Sequence, residues 1–179
     1  MEIFIVNEYS ESIINQVYDI HKNKLGEGYL SRSHFVGLVN KKQLIIAKNE
    51  NEVLGFLKYK ICTEKEFFEI EKLPPVISDK KVLALFTIAV KYENQKIGQK
   101  IINFCLNNFS KNINKIYAPV WTSKNGTNAK KLLLKFGINK IQSFPNYWYN
   151  DSLNVENFCP ICNNPCTCAL DIYCKDITE

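Results

Sequence analysis

The segment Lys81–Val90, KVLALFTIAV, is apolar at nearly every position after its first residue. A strand wetted on one face alternates apolar and polar residues. An unbroken run of this kind is what a central strand buried on both faces requires. The chain then turns polar through Lys91-Tyr92-Glu93-Asn94 and enters a helical pattern whose apolar stripe is Ile97, Ile101, Ile102, Cys105 and Phe109. A buried strand followed at once by an amphipathic helix commits the chain to a layered α/β arrangement, because the helix can hide its stripe only against the sheet.

The flanking sequence supplies the rest of that sheet. Residues 2–6 form a short apolar run suited to a first strand. Ser10 is placed to cap a helix with Ile13, Ile14, Val17, Tyr18 and His21 at helical spacing, and Ser31 or Ser33 to cap a second with Phe35, Val36 and Val39 turned inward. Residues 43–48 and 53–62 read as a hairpin around Asn49-Glu50-Asn51-Glu52. Residues 63–80, acidic, then basic, and broken by Pro74-Pro75, read as a loop with room for one helical turn. Residues 115–121 make another strand. Residues 125–136 make a helix with Ala129, Leu132, Leu133 and Phe136 inward, and Gly137 stands where a left-handed C-cap belongs. Residues 138–143 and 169–177 are a last pair of strands. The order β-α-α-β-β-β-α-β-α-β-β predicts an α/β fold: a mixed, mostly antiparallel central sheet flanked by helices, one domain over residues 1–179.

Composition excludes several classes. With 46% hydrophobic residues and a net charge of only +5, the chain is not disordered. No apolar run approaches the roughly 20 residues of a membrane span. The N-terminus carries Glu2 and no apolar stretch of the kind a secretory signal needs, so a cytoplasmic protein is expected. Lysine supplies all but one of the 23 basic residues, Arg32 being the exception, and the lysines are spread along the chain. A nucleic-acid reader clusters its cations and leans on arginine, so neither nucleic acid nor membrane is an expected partner. His21 and His34 belong to no recognisable triad and read as packing or surface residues.

The turn Gln95-Lys96-Ile97-Gly98-Gln99-Lys100 lies between the buried strand and the first helical turn behind it. The first N–H groups of a helix have no intrahelical partner and sit at the positive end of its dipole, which suits a phosphate. Gly98, lacking a Cβ, allows close approach of an anion or of a neighbouring element, and the sequence leaves both readings open. The glycines of a P-loop or a dinucleotide fingerprint are absent.

This region resembles the Gcn5-related N-acetyltransferases. Their central motif is a strand followed by Gln/Arg-x-x-Gly-x-Gly/Ala opening a helix; here Leu85-Phe86-Thr87-Ile88-Ala89-Val90 leads into Gln95–Lys100. Their second motif, a strand, an Asn and a helix ending in Gly-Phe, is matched by Val120-Trp121-Thr122-Ser123-Lys124-Asn125, then Ala129, then Phe136-Gly137-Ile138. The detailed match covers residues 82–138. The resemblance implies acetyl-CoA as cosubstrate, with Ile88, Ala89 and Val90 along the pantetheine arm. An amide near Ile88 would polarise the thioester carbonyl. The amides of Gln95, Lys96, Ile97, Gly98, Gln99 and Lys100 would cradle the pyrophosphate, with Asn125 at the pantetheine or thiol side. It further implies direct attack by a primary amine, from a small molecule or a peptide, in a ternary complex with a general base.

Two departures from the family pattern stand out. Lys100 replaces the final small residue of the first motif, where its ammonium can meet a phosphate as a point charge. Leu133 occupies the position where many members place a tyrosine that protonates the leaving thiolate, and Lys81–Val90 carries no glutamate to serve as base. Tyr147 and Tyr149, in Asn146-Tyr147-Trp148-Tyr149-Asn150-Asp151, are the candidates for proton transfer; the alternative reading of that motif is a packed aromatic patch or substrate wall.

Of the seven cysteines, Cys62 and Cys105 stand alone in apolar stretches, whereas Cys159, Cys162, Cys166, Cys168 and Cys174 crowd the C-terminal end. Cys159-x2-Cys162-x3-Cys166-x-Cys168 begins with the spacing of a zinc knuckle, and four thiolates could hold a structural zinc in an insertion, 159–168, between the last two strands. A loop of reduced cysteines and a redox-sensitive pair are the competing readings. The sequence therefore predicts an acetyl-CoA-dependent N-acetyltransferase. The alternative is a catalytically inactive acyl-CoA-binding or zinc-stabilised interaction module on the same fold. Acceptor and oligomeric state are not legible.

Overall fold

The structure is a computed structural model, and it describes residues 1–26, 29–124, 128–153, 159 and 161–177. In chain order the elements are β1 (Glu2–Ile5), α1 (Glu11–Leu25), α2 (Arg32–Asn40), β2 (Leu44–Asn49), β3 (Glu52–Thr63), α3 (Glu64–Ile70), β4 (Lys81–Val90), α4 (Ile97–Phe109), β5 (Lys115–Thr122), α5 (Asn128–Leu134), β6 (Asn139–Phe144) and β7 (Ala169–Asp176), with a 3-10 turn at Asp151–Leu153. The strands form one sheet in the order β1-β2-β3-β4-β5-β7-β6, antiparallel throughout except for the β4–β5 pair. This is the mixed, mostly antiparallel α/β architecture expected from the sequence. Among the described residues, no helix is long and apolar enough to cross a membrane.

Both predicted N-caps operate: Ser10 Oγ accepts from the Ile13 amide, and Ser31, rather than Ser33, accepts from His34. Gly137 takes φ +69°, the left-handed conformation that ends a helix without a Cβ penalty. Residues 63–80 hold more helix than the single turn expected there. Thr63 and Glu66 close a reciprocal capping box, Phe67 and Phe68 turn inward, and a seven-residue helix results. Ring stacking of Phe67 on Tyr117 at 4.6 Å fixes that helix to the sheet.

Helices cover both faces. On one, Ile14, Val17, Phe35, Leu38 and Val39 of α1 and α2 pack onto Leu44, Ile46 and Phe56. On the other, Ile101, Ile102 and Cys105 of α4 and Leu133 of α5 pack onto Leu57, Leu83 and Leu85. His21 is one of the residues sealing α1 to α2: buried, it lies 5.5 Å from the Phe35 ring with neither ring nitrogen hydrogen-bonded. Burial, then repulsion from His34, lowers its pKa to about 4, so it packs as a neutral ring.

Two irregularities in the central strands open the sheet. In β4 the register slips, with Lys58 opposite Thr87 and Tyr59 opposite Leu85, so Phe86 is the extra residue of a bulge. Before it, Leu83 and Leu85 face α4; after it, Ile88 and Val90 do. The bulge thus flips the side-chain alternation in mid-strand. Secondly, β4 and β5 pair only at Val82–Ala84 against Lys115–Tyr117. Pro119, with no N–H to offer a ladder, lies in the half of β5 beyond that register.

Candidate active site

Where β4 and β5 part, a cavity of about 580 Å³ opens between them. One wall is β4 from Leu85 to Val90, whose far edge is still paired with β3; the facing wall is β5 from Ala118 to Trp121. Phe86, Thr87, Lys58 and Glu71 line the side of the sheet that α3 covers, and Leu133 and Ile102 the side under α4 and α5. The cavity is therefore a slot through the sheet with one polar side and one apolar side.

The residues singled out in the sequence are distributed unevenly around this slot. Ile88, Ala89 and Val90 line it. The Gln95–Lys100 turn comes after β4, and α4 begins at Ile97 with Lys96 as its N-cap in the left-handed conformation, φ 58°. Gln95, Lys96 and Lys100 are exposed, Gly98 and Gln99 partly so, and Ile97 is buried in the core. A Cβ on Gly98 would stand 3.1 Å from Leu132 Cδ2, so close packing of α4 on α5 is one reason for glycine there. Asn125 lies outside the described residues. Leu133, in the position where the family pattern has a tyrosine, is buried and presents only hydrocarbon to the slot. Tyr149 is exposed and stands apart from the cavity lining. The Tyr147 hydroxyl donates to the backbone carbonyl of Glu71, and burial pushes its pKa up to about 12. Trp148, between these tyrosines, does line the slot.

Glu71 is a residue that the sequence pattern did not single out. It comes after α3 as its C-cap and reaches the polar side of the slot. Burial raises its carboxyl to about 7, only partly opposed by the Lys58 ammonium. Lys58 itself is lowered by burial and stands 5.2 Å above the Phe86 ring. A carboxyl group poised near neutrality in a cleft, beside a cation and below an aromatic wall, can take a proton from a bound group at physiological pH. A signal for it exists in the sequence: Thr63-x-x-Glu66 before Phe67-Phe68 is a capping box, which places Glu71 at a helix end beside the central strands. Cys62 and Cys105 are buried, with thiols raised by burial to about 11 and 12, and behave as core residues rather than nucleophiles.

The cysteine cluster lies at one end of the slot. Cys159, Cys162, Cys166 and Cys168 converge so that their sulfurs all lie within 4.8 Å of one another. Cys159 and Cys166 also line the cavity.

A seven-stranded sheet that splays between its parallel pair, with a bulged strand at the split and a helix N-terminus beyond it, is the fold of the Gcn5-related N-acetyltransferases. Solved structures carry the same architecture over the full chain. Arabidopsis thaliana NAA60 in complex with acetyl-CoA is 14% identical, with 99% of each chain covered and a TM-score of 0.71. An N-acetyltransferase from Staphylococcus aureus Mu50 is 12% identical over 99% of this chain and 100% of its own, with a TM-score of 0.66. Ard1 from Thermoplasma volcanium is 16% identical over 99% and 98%, with a TM-score of 0.67. At these identities the likeness is one of fold. No family model matches the sequence, and no curated protein does.

Proposed function

We propose that the protein transfers an acetyl group from acetyl-CoA to a primary amine, with the thioester held in the slot between β4 and β5. The slot carries this reading: it is a cleft of about 580 Å³ bounded on one side by an unpaired strand edge, and it lies between a core helix N-terminus and a near-neutral carboxyl group. In this reading the free edge of β4 from Ile88 to Val90 hydrogen-bonds the pantetheine, and the amides from Gln95 to Lys100 meet the pyrophosphate. Lys100 adds a charge there. The family pattern would assign the pantetheine or thiol side to Asn125, which lies outside the described residues. The bulge at Phe86 turns an adjacent β4 amide toward the thioester oxygen, where negative charge develops as the tetrahedral intermediate forms.

The amine enters from the α3 side. Its nitrogen forms the new N–C bond as a proton passes to the Glu71 carboxylate, directly or through one water. The C–S bond then breaks, and coenzyme A departs as a thiolate that takes its proton from water, since Leu133 offers none. Tyr147 acts through Glu71, holding its backbone in place. Neither tyrosine of the 147–149 motif is needed as the acid.

The test is coenzyme A thiol release from acetyl-CoA across a panel of small amines, amino acids and peptide N-termini, alongside direct titration of coenzyme A binding. The expected result is binding together with amine-dependent release. Binding without turnover on any amine would leave an acyl-CoA-binding module, and failure to bind coenzyme A would overturn both.

A further inference from the structure

We propose that Cys159, Cys162, Cys166 and Cys168 hold one zinc ion in an all-thiolate tetrahedral site that fixes the Tyr147–Ser152 wall of the slot. Zinc–sulfur bonds of about 2.3 Å in tetrahedral geometry place neighbouring sulfurs about 3.8 Å apart. Here Cys162 Sγ is 3.3 Å from Cys159 Sγ and 3.5 Å from both Cys166 Sγ and Cys168 Sγ, and Cys159 and Cys168 are 3.9 Å apart. Four sulfurs around one point are not two disulfides, each of which would draw its own pair to about 2.05 Å and let the pairs separate.

The backbone is arranged for thiolates. The Thr167 amide donates to Cys162 Sγ at 3.3 Å and the Cys168 amide to Cys166 Sγ at 3.5 Å. Such bonds, with those of the ion, stabilise sulfur that carries negative charge. Asn163 turns the chain back after Cys162 in the left-handed conformation, φ 57°, which asparagine tolerates. Three of the four cysteines are buried, and Trp121, Trp148 and Ile161 pack around them. Four protein ligands close the coordination shell and leave no position for water or substrate, so the ion is structural. Cys174 lies apart, paired across the sheet with Tyr117.

The site reaches the slot through short links. The Cys166 amide donates to Ser152 Oγ at 2.7 Å, and that hydroxyl donates to the Tyr149 carbonyl at 2.8 Å. The Cys168 carbonyl accepts from the Tyr147 amide at 3.1 Å, and the Tyr147 hydroxyl reaches the Glu71 backbone. Trp148 touches both the cysteines and the slot. Without the ion, four crowded sulfurs lose their common partner, and the ordering entropy of this connection is no longer offset.

The experiment is metal analysis of the full chain purified without chelator, then cobalt exchange and tryptophan fluorescence. One zinc per chain is expected, with the thiolate charge-transfer and visible bands of tetrahedral cobalt after exchange. Cys162→Ser should lose the metal and Cys174→Ser keep it. Because both tryptophans pack against the cysteines, chelation should shift the emission. Folded wild-type protein without stoichiometric zinc, with iron in its place, or with the four cysteines paired as disulfides overturns the proposal, whether or not Cys162→Ser folds. The link to the wall rests on the acetyltransferase reading: metal loss should raise the acceptor KM roughly tenfold or more while coenzyme A affinity holds. A protein that binds zinc but turns over no amine would sink that reading and leave the metal site standing.

Discussion

Two glutamates stand at opposite ends of the same seven-residue helix, and their surroundings give them opposite characters. Glu64 opens α3 beside the paired end of β4 and β5. It is buried and accepts from Tyr117 Oη at 2.5 Å and from Lys115 Nζ at 2.9 Å. Burial opposes its charge, but those donors win and hold the carboxyl below its ordinary range. Glu71 closes α3 beside the open end, where the strands have parted. Burial goes unanswered there by any comparable donor among the described residues, and the carboxyl rises to about 7. The negative end of the helix dipole acts in the same direction. One side chain is committed to structure, whereas the other is left able to change its protonation state. The difference comes from where the sheet is zipped.

Substitution at each glutamate puts this contrast at risk. The greatest change should be in chemistry: Glu71→Gln should lower kcat for acetyl transfer by roughly 100-fold or more, the usual scale of a positioned base, while coenzyme A affinity measured by titration stays put. Glu64→Gln should do the reverse. It removes a charged acceptor from the Lys115, Ser78 and Tyr117 donors and should cost about 2 kcal/mol in urea unfolding, with the pH dependence of kcat unchanged.

The stability curves should also slope in opposite senses. Glu64 has a folded pKa below its unfolded value, so its contribution is fully present above that unfolded value and is lost as pH falls through the folded one. Glu71 has a folded pKa above its unfolded value, so stability declines as pH rises from about 4.5 to about 7. At pH 8, Glu71→Gln should therefore stabilise the fold by on the order of 1 kcal/mol, and thermal melts at pH 5 and pH 8 would separate the two cases. A smaller, electrostatic change is expected from Lys58→Met, which removes the cation that restrains Glu71. It should move the acid limb of the kcat profile upward by up to about one pH unit.

Much of this molecule is legible in its sequence because the half around β4 and α4 rests on local patterns. Lys81–Val90 announces a doubly buried strand, the stripe from Ile97 to Cys105 announces its helix, and Ser10 and Gly137 mark helix ends by their own chemistry. The half around α3 and the 147–152 connection depends on register and on contacts distant in sequence. Nothing in Leu85-Phe86-Thr87 signals a bulge, because the bulge exists only relative to β3. Glu71 reads as one acid among several until α3 is folded beneath Tyr147, whose partner it becomes across 76 positions. Tyr147 and Tyr149 lie in the connection that borders the slot, but a tyrosine's role depends on what its hydroxyl meets, and that is set by the fold. The cysteines are the exception, since four of them within ten residues are already close in the chain and their spacing alone suggests a cluster.

The decisive experiment is the pH dependence of kcat for amine-dependent thiol release, at saturating acetyl-CoA and acceptor, for wild type and Glu71→Gln together. The wild type should lose activity as pH falls through the pKa of Glu71 in the ternary complex, a carboxyl that burial raises to about 7 in the free protein, and the variant should be slow with that limb abolished. An acid limb that persists unchanged in the variant would belong to the amine itself. It would contradict the assignment of Glu71 as the base at the open end of the sheet.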